Sequence, residues 1–371
     1  MTVGNKFLYK QVIDFIVFMK TPMTLDPTLI QGPYLRDILD QPRAVRETTT
    51  SLANSQELND FTKDLSPTSY ESIVLTGMGG SFHVLNPLHL RLTELGFPVR
   101  MAEASELIHF MPRLLNRRTL LVVVSQSGRS AEIVRLLRKD GERAAILGVT
   151  NDGTSPLALK SDVVALIQAG AEASVSCKTT TASLAALAWI GDRISRRDLR
   201  SSTDQLEVSA LAVEQYLAHW RTHVETLCAE LEGIRHLFVT GRGCSLAACG
   251  IGGMIMKEAA HFHSEGMSSA AFRHGPFEML SEDCFVLVFA GEAIVEPLNR
   301  ALVDDVRQTG ARAVLVGPDA ESGVFRLPPV GKEVRPIVEM LPLQMVSLAL
   351  AAIAGREAGK FDRIGKVTTS E

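Results

Sequence analysis

The 371-residue sequence has few cysteines, and their placement excludes two kinds of site. There are five, an odd number, and no two of them form a CxxC pair. A structural zinc site needs closely spaced Cys or His ligands, and a disulfide framework needs paired cysteines. The pair His261 and His263 is not accompanied by a third ligand, so we interpret both residues as structural. We therefore expect no metal site and a reducing, cytoplasmic compartment.

The sequence also lacks an excess of positive charge and a long apolar run. Its formal net charge is -4 at pH 7, which disfavours nucleic acid and anionic membrane surfaces as partners. The apolar stretches Val12–Met19, Ala182–Ile190 and Met345–Ala354 are shorter than the roughly 20 residues that span a bilayer. We interpret the last two as buried helices. The sequence thus predicts a partner that is neither nucleic acid nor membrane.

Alternating strand and helix patterns are present, and they occur twice along the chain. A helix is predicted at Phe82–Leu95, and residues 179–230 between the two copies have the pattern of long helices. Strands are predicted at Ser72–Thr76, Val99–Ala102, Leu121–Val124, Ala144–Val149, Val163–Ile167, Leu237–Thr240, Phe285–Phe289 and Ala311–Gly317. The repeat, which includes Arg143–Gly148 in the first copy, predicts an α/β fold of two tandem units. Each unit is expected to be a parallel sheet flanked by helices on both faces.

The stretch Leu121–Leu137 carries the clearest functional signal. An apolar strand runs into the turn Ser125–Ser130, and apolar residues then recur at helical spacing. Three serines and a glycine at the start of a helix can bind a phosphate or another small anion. The turn lacks the lysine of a P-loop, which favours a phosphorylated small molecule over a nucleotide. The alternative is an ordinary helix N-cap, where serine is common.

Other polar residues are expected at the same edge of the sheet. In open α/β sheets, ligands bind beyond the carboxyl ends of the strands. That edge is also expected to receive the hydroxyl-rich segment Glu172–Thr181, in which Lys178 is the one cation. The predicted binding residues from the turns are Ser81, Ser125, Gln126, Ser127 and Ser130.

The second copy differs from the first at the turn. Where the first copy has Ser125–Ser130, the second has Ala290–Val295, with no serine and with the acid Glu292. We therefore expect no phosphate in the second copy. Unequal copies favour one site for each pair of units, built from residues of both.

Two residues of the second copy are candidates for proton transfer. Glu258 lies in the otherwise apolar stretch Ile251–Ala260, beside Lys257. Partial burial would make its carboxylate a base near neutral pH, and the alternative is a surface Lys–Glu pair. His274 precedes Gly275–Pro276, which places it on a loop.

From Tyr34 to its end, the chain resembles the double sugar-isomerase (SIS) domain proteins. It looks closest to the isomerase half of glucosamine-6-phosphate synthase and to the related deaminases and deglycases. The motifs that carry the resemblance are Asp40–Pro42, Gly79–Ser81, Ser125–Gly128, Glu172 with Cys177–Thr179, Lys257–Glu258, Arg273–Pro276 and Asp362–Thr368. We expect no glutaminase domain before them and no glutamine hydrolysis.

The resemblance implies roles for individual residues. Glu258 matches the base that moves a proton between C1 and C2, and Lys366 matches a lysine that forms a Schiff base with the ketose. His274 matches a residue that helps open the sugar ring and comes from the partner subunit, which implies a homodimer. Val175 and Cys177 match positions that line the sugar, and no cofactor is implied. The five turn residues named above match the positions that bind the sugar phosphate.

We therefore expect a phosphosugar isomerase or deaminase that acts on an amino-hexose 6-phosphate. The alternatives are a deglycase of the fructosamine-6-phosphate type and a non-catalytic phosphosugar-binding regulator, although no helix-turn-helix segment is evident. Synthases usually have a lysine three residues before the base, where this chain has Ile255, and Arg129–Ser130 is closer to the deaminase and deglycase branch.

The expected domain organisation follows from the repeat and the resemblance. Residues 1–33 are expected to be an N-terminal extension, and residues 34–195 the first, phosphosugar-binding SIS domain. Residues 196–371 are expected to be the second SIS domain. By composition the C-terminal segment Gly359–Thr368 would be a frayed tail, whereas the resemblance places it at the active site.

Overall fold

A computed structural model describes residues 27–138, 144–363 and 365–368. Residues 1–26 of the expected N-terminal extension are not among the described residues, and neither is Arg143 of the repeat. The strands are β1 (Ser72–Thr76), β2 (Val99–Met101), β3 (Thr119–Val124), β4 (Ala145–Thr150), β5 (Val163–Leu166), β6 (His236–Gly241), β7 (Ser264–Ser268), β8 (Cys284–Phe289) and β9 (Arg312–Val316). The helices are α1 (Pro33–Leu39), α2 (Gln41–Asn54), α3 (Gln56–Asp64), α4 (Gly80–His83), α5 (Asn86–Glu94), α6 (Ala104–His109), α7 (Ala131–Leu136), α8 (Pro156–Lys160), α9 (Lys178–Ile194), α10 (Leu199–Leu217), α11 (Trp220–Glu230), α12 (Leu246–Ala260), α13 (Ser269–Arg273), α14 (Glu296–Gln308) and α15 (Arg335–Ile353).

The strands form two parallel sheets that share one arrangement of four strands, and the first sheet has one further strand, β5, at its edge. The first has the order β2-β1-β3-β4-β5 and the second the order β7-β6-β8-β9, and every pairing is parallel. Each sheet has one topological switch point, at which successive strands are added on opposite sides. It lies between β1 and β3 in the first sheet and between β6 and β8 in the second. Ligands of such sheets bind at this point. The predicted pair of α/β units is confirmed.

Helices cover both faces of each sheet, which is why the central strands are apolar throughout. All six residues of β3 and all six of β8 are buried. Along β3 the side chains alternate, since Val122 packs in the core between the two sheets and Val123 in a core on the outer face. The second sheet has its own outer core around Phe238 and Val286. The two units therefore share one continuous inner core.

Some elements differ from the sequence prediction. Strand β7 was not predicted, because its sequence Ser264–Ser268 is polar and contains a glycine. The single helix predicted at Phe82–Leu95 is divided into α4 and α5. Helix α15 is longer than the predicted Met345–Ala354. By length and composition α15 could cross a membrane, with a mean hydropathy of 1.7, but 94% of that window is buried inside the protein.

The helices between the sheets connect the two units directly. On α2, Arg46 forms ion pairs with Glu207 and Glu214 of α10. Gln41 exchanges hydrogen bonds of 2.9 Å with Gln344 of α15. These contacts join helix α2 of the first unit to helices α10 and α15 of the second. The domain boundary at residue 195 remains a prediction.

Candidate functional site

A cavity of about 240 Å³ lies where β1 and β3 end, closed on its other side by helix α12 of the second unit and by the C-terminal segment. We call it the first cavity. It contains every turn residue that the sequence singled out, together with Glu258 and Lys366. Its lining residues are Met78, Gly79, Gly80, Ser81, Val84, Val124, Ser125, Gln126, Ser127, Ser130, Ser176, Thr179, Thr180, Ser183, Ile251, Met254, Ile255, Glu258, Lys366, Val367 and Thr368.

The turn Ser125–Ser130 is held by hydrogen bonds within itself. The hydroxyl of Ser125 accepts from the Gly128 amide at 3.1 Å, and that of Ser127 accepts from the Arg129 amide at 3.2 Å. Gly128 has a φ of +61°, and a Cβ atom there would lie 2.2 Å from the hydroxyl of Ser155. Only glycine fits at that position. The turn therefore presents its hydroxyl groups to the cavity in one fixed shape.

Glu258 enters the cavity from α12, near the C-terminal end of that helix. Its side chain is largely buried, and burial raises the pKa of its carboxyl, while the positive charge of Lys366 acts in the opposite direction. The adjacent Lys257 is exposed. The geometry therefore disagrees with a surface Lys–Glu pair, since only Lys257 faces solvent. A carboxylate whose pKa is raised toward neutral is suited to accept a proton.

Lys366 is fixed by two acceptors from the first unit. Its Nζ donates to Oε2 of Glu172 at 2.7 Å and to the carbonyl oxygen of Ser174 at 2.6 Å. The Glu172 side chain is fully buried and accepts three further hydrogen bonds, from the amides of Cys177 and Thr179 and from the Thr179 hydroxyl. Glu172 thus joins the N-terminal end of α9 to the lysine.

The C-terminal segment is hydrogen-bonded to the rest of the protein near both of its ends, in contrast to the frayed tail that its composition suggests. The amide of Gly359 donates to the carbonyl of Ala259 at 2.9 Å, and its carbonyl accepts from the Ser174 hydroxyl at 2.5 Å. Further on, the carbonyl of Thr368 accepts from the amide of Ala131 in the first turn of α7. The segment therefore closes the cavity beside the serine turn.

Lys178 does not face the cavity, which corrects its assignment as a binding cation. Its ammonium is buried and forms ion pairs with Asp37 at 3.0 Å and Asp40 at 2.9 Å. The charge of Lys178 is neutralised at the junction of α1 and α2, away from the cavity. Its contribution is to anchor those helices to the start of α9.

Val175 and Cys177 are also buried rather than exposed in the cavity, with 0% and 1% of their surfaces accessible. Burial raises the pKa of the Cys177 thiol well above its usual value. The same segment instead contributes four hydroxyl groups whose individual roles the sequence did not reveal: Ser176, Thr179, Thr180 and Ser183. The hydroxyl-rich run Glu172–Thr181 was the sequence signal for the first three of these residues, and Ser183 lies beyond that run.

His274 is exposed and follows α13 at the outer side of the second sheet. It does not line the first cavity of its own chain. Its predicted donation to a partner subunit remains a prediction.

Comparison with known proteins finds a family with two domains of this kind and solved structures with the same fold. The SIS-domain family model matches residues 68–190 and 230–354, once for each sheet. An isomerizing glutamine–fructose-6-phosphate aminotransferase from Pyrococcus horikoshii is 26% identical over 350 residues, which are 91% of this chain and 57% of that protein. The chain thus spans a little over half the length of this relative.

Two solved structures share the fold. The C-terminal domain of glucosamine-fructose-6-phosphate aminotransferase from Francisella tularensis has a TM-score of 0.77 at 22% identity, covering 89% of this chain and 98% of that one. Glucosamine-6-phosphate deaminase from Thermotoga maritima has a TM-score of 0.75 at 17% identity, covering 91% of this chain and 100% of that one.

Proposed function

The chain belongs to the SIS-domain family, and on that premise we propose that it is a phosphosugar isomerase that deaminates an amino-hexose 6-phosphate. The reaction is glucosamine 6-phosphate plus water giving fructose 6-phosphate and ammonia, or its reverse. One observation carries the proposal: a carboxylate with a raised pKa, Glu258, shares a cavity of about 240 Å³ with the serine turn and Lys366.

The serine turn is the proposed phosphate site. Its hydroxyl groups and that of Ser81 converge from the ends of two neighbouring strands. Phosphate oxygens accept hydrogen bonds from such groups, and binding the phosphate holds the sugar carbons at a fixed distance from it. The reacting end of the substrate would then lie toward Glu258 and Lys366.

Glu258 is the proposed base. Isomerisation between aldose and ketose requires a proton to move between C1 and C2. One positioned carboxylate can accept the proton from one carbon and deliver it to the other. Because burial raises the pKa of Glu258, its carboxylate is a stronger base than an exposed one. Activity is expected to fall as the pH drops through this raised pKa, since the protonated form cannot accept the proton.

Lys366 is the proposed carbonyl-activating group. Its amine can condense with the open-chain carbonyl, releasing water and forming an imine that makes the neighbouring C–H bond more acidic. The acceptors Glu172 and Ser174 hold the nitrogen in place at the cavity wall. Ile255, which lines the same cavity, leaves that position without the lysine that synthases usually have, and this favours a deaminase over a synthase.

We include a homodimer in the proposal, with His274 reaching the first cavity of a second copy. Its exposure leaves the imidazole available to such a partner. Sedimentation of the active enzyme should show a dimer, and a fully active monomer would contradict this part of the proposal.

The test is to assay ammonia and fructose 6-phosphate in parallel from purified protein and glucosamine 6-phosphate. Both should appear in a 1:1 ratio. Glu258→Gln should lower kcat by about 10²- to 10⁴-fold while the affinity for the sugar phosphate stays within a few-fold. Lys257→Gln, the exposed neighbour, is the matched control and should retain activity.

Other outcomes separate the alternatives. Thermal stabilisation by the sugar phosphate without turnover, and turnover of a fructosamine 6-phosphate, would replace the deaminase with a deglycase. Binding of both without turnover of either, unaffected by Glu258→Gln, would indicate a regulator. Absence of binding would contradict the phosphate site itself.

A further inference from the structure

A second cavity, of about 300 Å³, lies in the second unit at the carboxyl ends of β8 and β9, against helix α15. It occupies the edge of the sheet at which open α/β folds bind ligands. Its lining residues are Ala290, Gly291, Ala293, Glu296, Arg300, Val316, Gly317, Pro318, Asp319, Leu327, Pro328, Pro329, Val330, Arg335, Val338 and Glu339. The proposed reaction uses none of them.

Glu339 is the unusual member of this wall. Only 1% of its surface is accessible, and its Oε1 accepts a hydrogen bond of 2.7 Å from Ser245. Within the described part of the chain, nothing donates a hydrogen bond to its Oε2. A buried carboxyl oxygen without a partner is costly, and a structural role would normally satisfy it. Because Glu339 is also one of the residues that line the second cavity, a donor that enters this cavity from outside the chain can supply the missing hydrogen bond.

The charges around the second cavity favour a cation over an anion. Arg300 is paired with Glu296 at 2.7 Å and lies 3.7 Å from Asp319, and Arg335 lies 3.4 Å from Glu292. Both arginines are therefore already opposed by carboxylates, and Glu339 adds a further acid. The turn that begins at Ala290 also lacks the hydroxyl groups that would bind phosphate.

The cation that fits is organic rather than metallic. Among the described residues, no group of three or more His, Cys, Asp and Glu is arranged to hold a metal ion. The lining of the second cavity also includes the apolar residues Leu327, Pro328, Val330 and Val338. Such residues pack against a carbon skeleton, while a single carboxylate binds one ammonium group.

We propose that the second cavity binds a small primary amine without a phosphate, such as a free amino sugar, whose ammonium group donates to the unpartnered oxygen of Glu339. This site is independent of the reaction proposed for the first cavity. It would give the protein a second ligand, and one that shares the amine of the proposed substrate but not its phosphate.

Burial supports the proposal by raising the pKa of Glu339 to about 7. The groups that face this carboxyl are Ser245 and Arg335, which lower the pKa, and Glu292, which raises it. The thiols of Cys244 and Cys249 are also within electrostatic range. At pH 6 the carboxyl is mostly protonated, so a bound ammonium group should displace that proton.

Isothermal titration calorimetry at pH 6 tests the proposal, with glucosamine as the probe and glucose as its neutral match. Repeating the titration in two buffers with different ionisation enthalpies measures the protons released. We expect glucosamine to bind at least about tenfold more tightly than glucose and to release close to one proton. Glu339→Gln should abolish both the preference and the proton release.

Two further variants keep the test decisive. Glu258→Gln, in the first cavity, should leave glucosamine binding and proton release unchanged. Ala293→Phe, at an exposed position on the rim, should block the cavity without altering the buried carboxyl, so it should weaken binding even if Glu339→Gln folds poorly. Equal binding of glucose, no binding of glucosamine, or loss of binding in Glu258→Gln with retention in Glu339→Gln would overturn the proposal.

Discussion

The two units share the order of four strands, but the turns that follow their matching strands β3 and β8 differ in chemistry. After β3 the first unit has the serine turn Ser125–Ser130, which lines the first cavity with hydroxyl groups. After β8 the second unit has Ala290–Val295, which lacks serine and carries Glu292. Hydroxyl groups favour a phosphate, whereas a carboxylate repels one. The two units therefore share an arrangement of strands and differ in the residues that follow the matching strands β3 and β8.

The two units also differ in the hydrogen bonding of a buried carboxylate, which is Glu172 in the first unit and Glu339 in the second. Glu172 accepts four hydrogen bonds, including the one from Lys366. Glu339 accepts one from Ser245, and its other oxygen has no partner among the described residues. A carboxylate with all its partners inside the chain fixes the structure around it. A carboxylate that lacks one is free to bind something else.

The largest effect on ligand affinity is expected when the acid of the second turn is introduced at the matching position of the first turn. Ser127→Glu places a carboxylate where the phosphate is proposed to bind, and two such charges about 4 Å apart repel by several kcal/mol. We expect the affinity for glucosamine 6-phosphate to fall by at least about 100-fold in calorimetry. The reciprocal Glu292→Ser should leave that affinity unchanged. Equal affinity in wild type and Ser127→Glu would place the phosphate elsewhere.

The next test removes the negative charge of Glu172 and, in a separate variant, that of Glu339. In Glu172→Gln the amide cannot accept from Lys366 as a carboxylate does, and a hydrogen bond to a charged group contributes about 1.5 to 3 kcal/mol. We expect kcat to fall about 50-fold with KM nearly unchanged, because the lysine is no longer held. Glu339→Gln is the matched control and should keep the turnover rate. A lower melting temperature with unchanged kcat would limit Glu172 to capping α9.

The fold was predictable wherever burial leaves a pattern in the sequence. Strands such as β3 and β8 are apolar along their whole length because helices cover both faces, and the repeat located their counterparts. Strand β7 was missed because it is a polar edge strand, whose residues Ser264–Ser268 pair only with β6. Its position could have been inferred from the repeat, since β2 occupies the same place in the first sheet.

The site was predictable where one segment supplies both the residues and their orientation, as in the serine turn. Lys178 was misassigned because the sequence shows a cation without showing its partners, Asp37 and Asp40, which lie about 140 positions earlier. The role of Glu172 was missed for the same reason, since Lys366 is 194 positions away. Long-range ion pairs leave no local pattern.

The shape of the first turn can be tested separately from its charge. Gly128→Ala forces a side chain onto a φ of +61° and against Ser155, and strain of this kind costs about 1 to 3 kcal/mol. We expect the free energy of unfolding in urea to fall by about 2 kcal/mol. Ala293→Gly makes the reverse change at the corresponding, exposed position of the second turn and should alter stability by less than about 1 kcal/mol. Equal effects would mean that the two turns are under similar constraint.

The smallest expected effect is the pH dependence that Glu339 gives to stability. Its pKa is raised to about 7 in the folded protein, against roughly 4.5 when exposed, so the folded state holds a proton that the unfolded state has lost. Stability from this group is complete below pH 4.5 and is lost as the pH rises through 7. Between pH 6 and pH 8 the wild type should therefore lose about 1 kcal/mol more stability than Glu339→Gln, measured by urea unfolding at each pH.

Glu172→Gln, at the carboxylate whose partners are all internal, should not reproduce this difference. Parallel pH profiles for wild type and Glu339→Gln would mean that Glu339 stays ionised in the folded protein, and the contrast between the two buried carboxylates would then rest on hydrogen bonding alone.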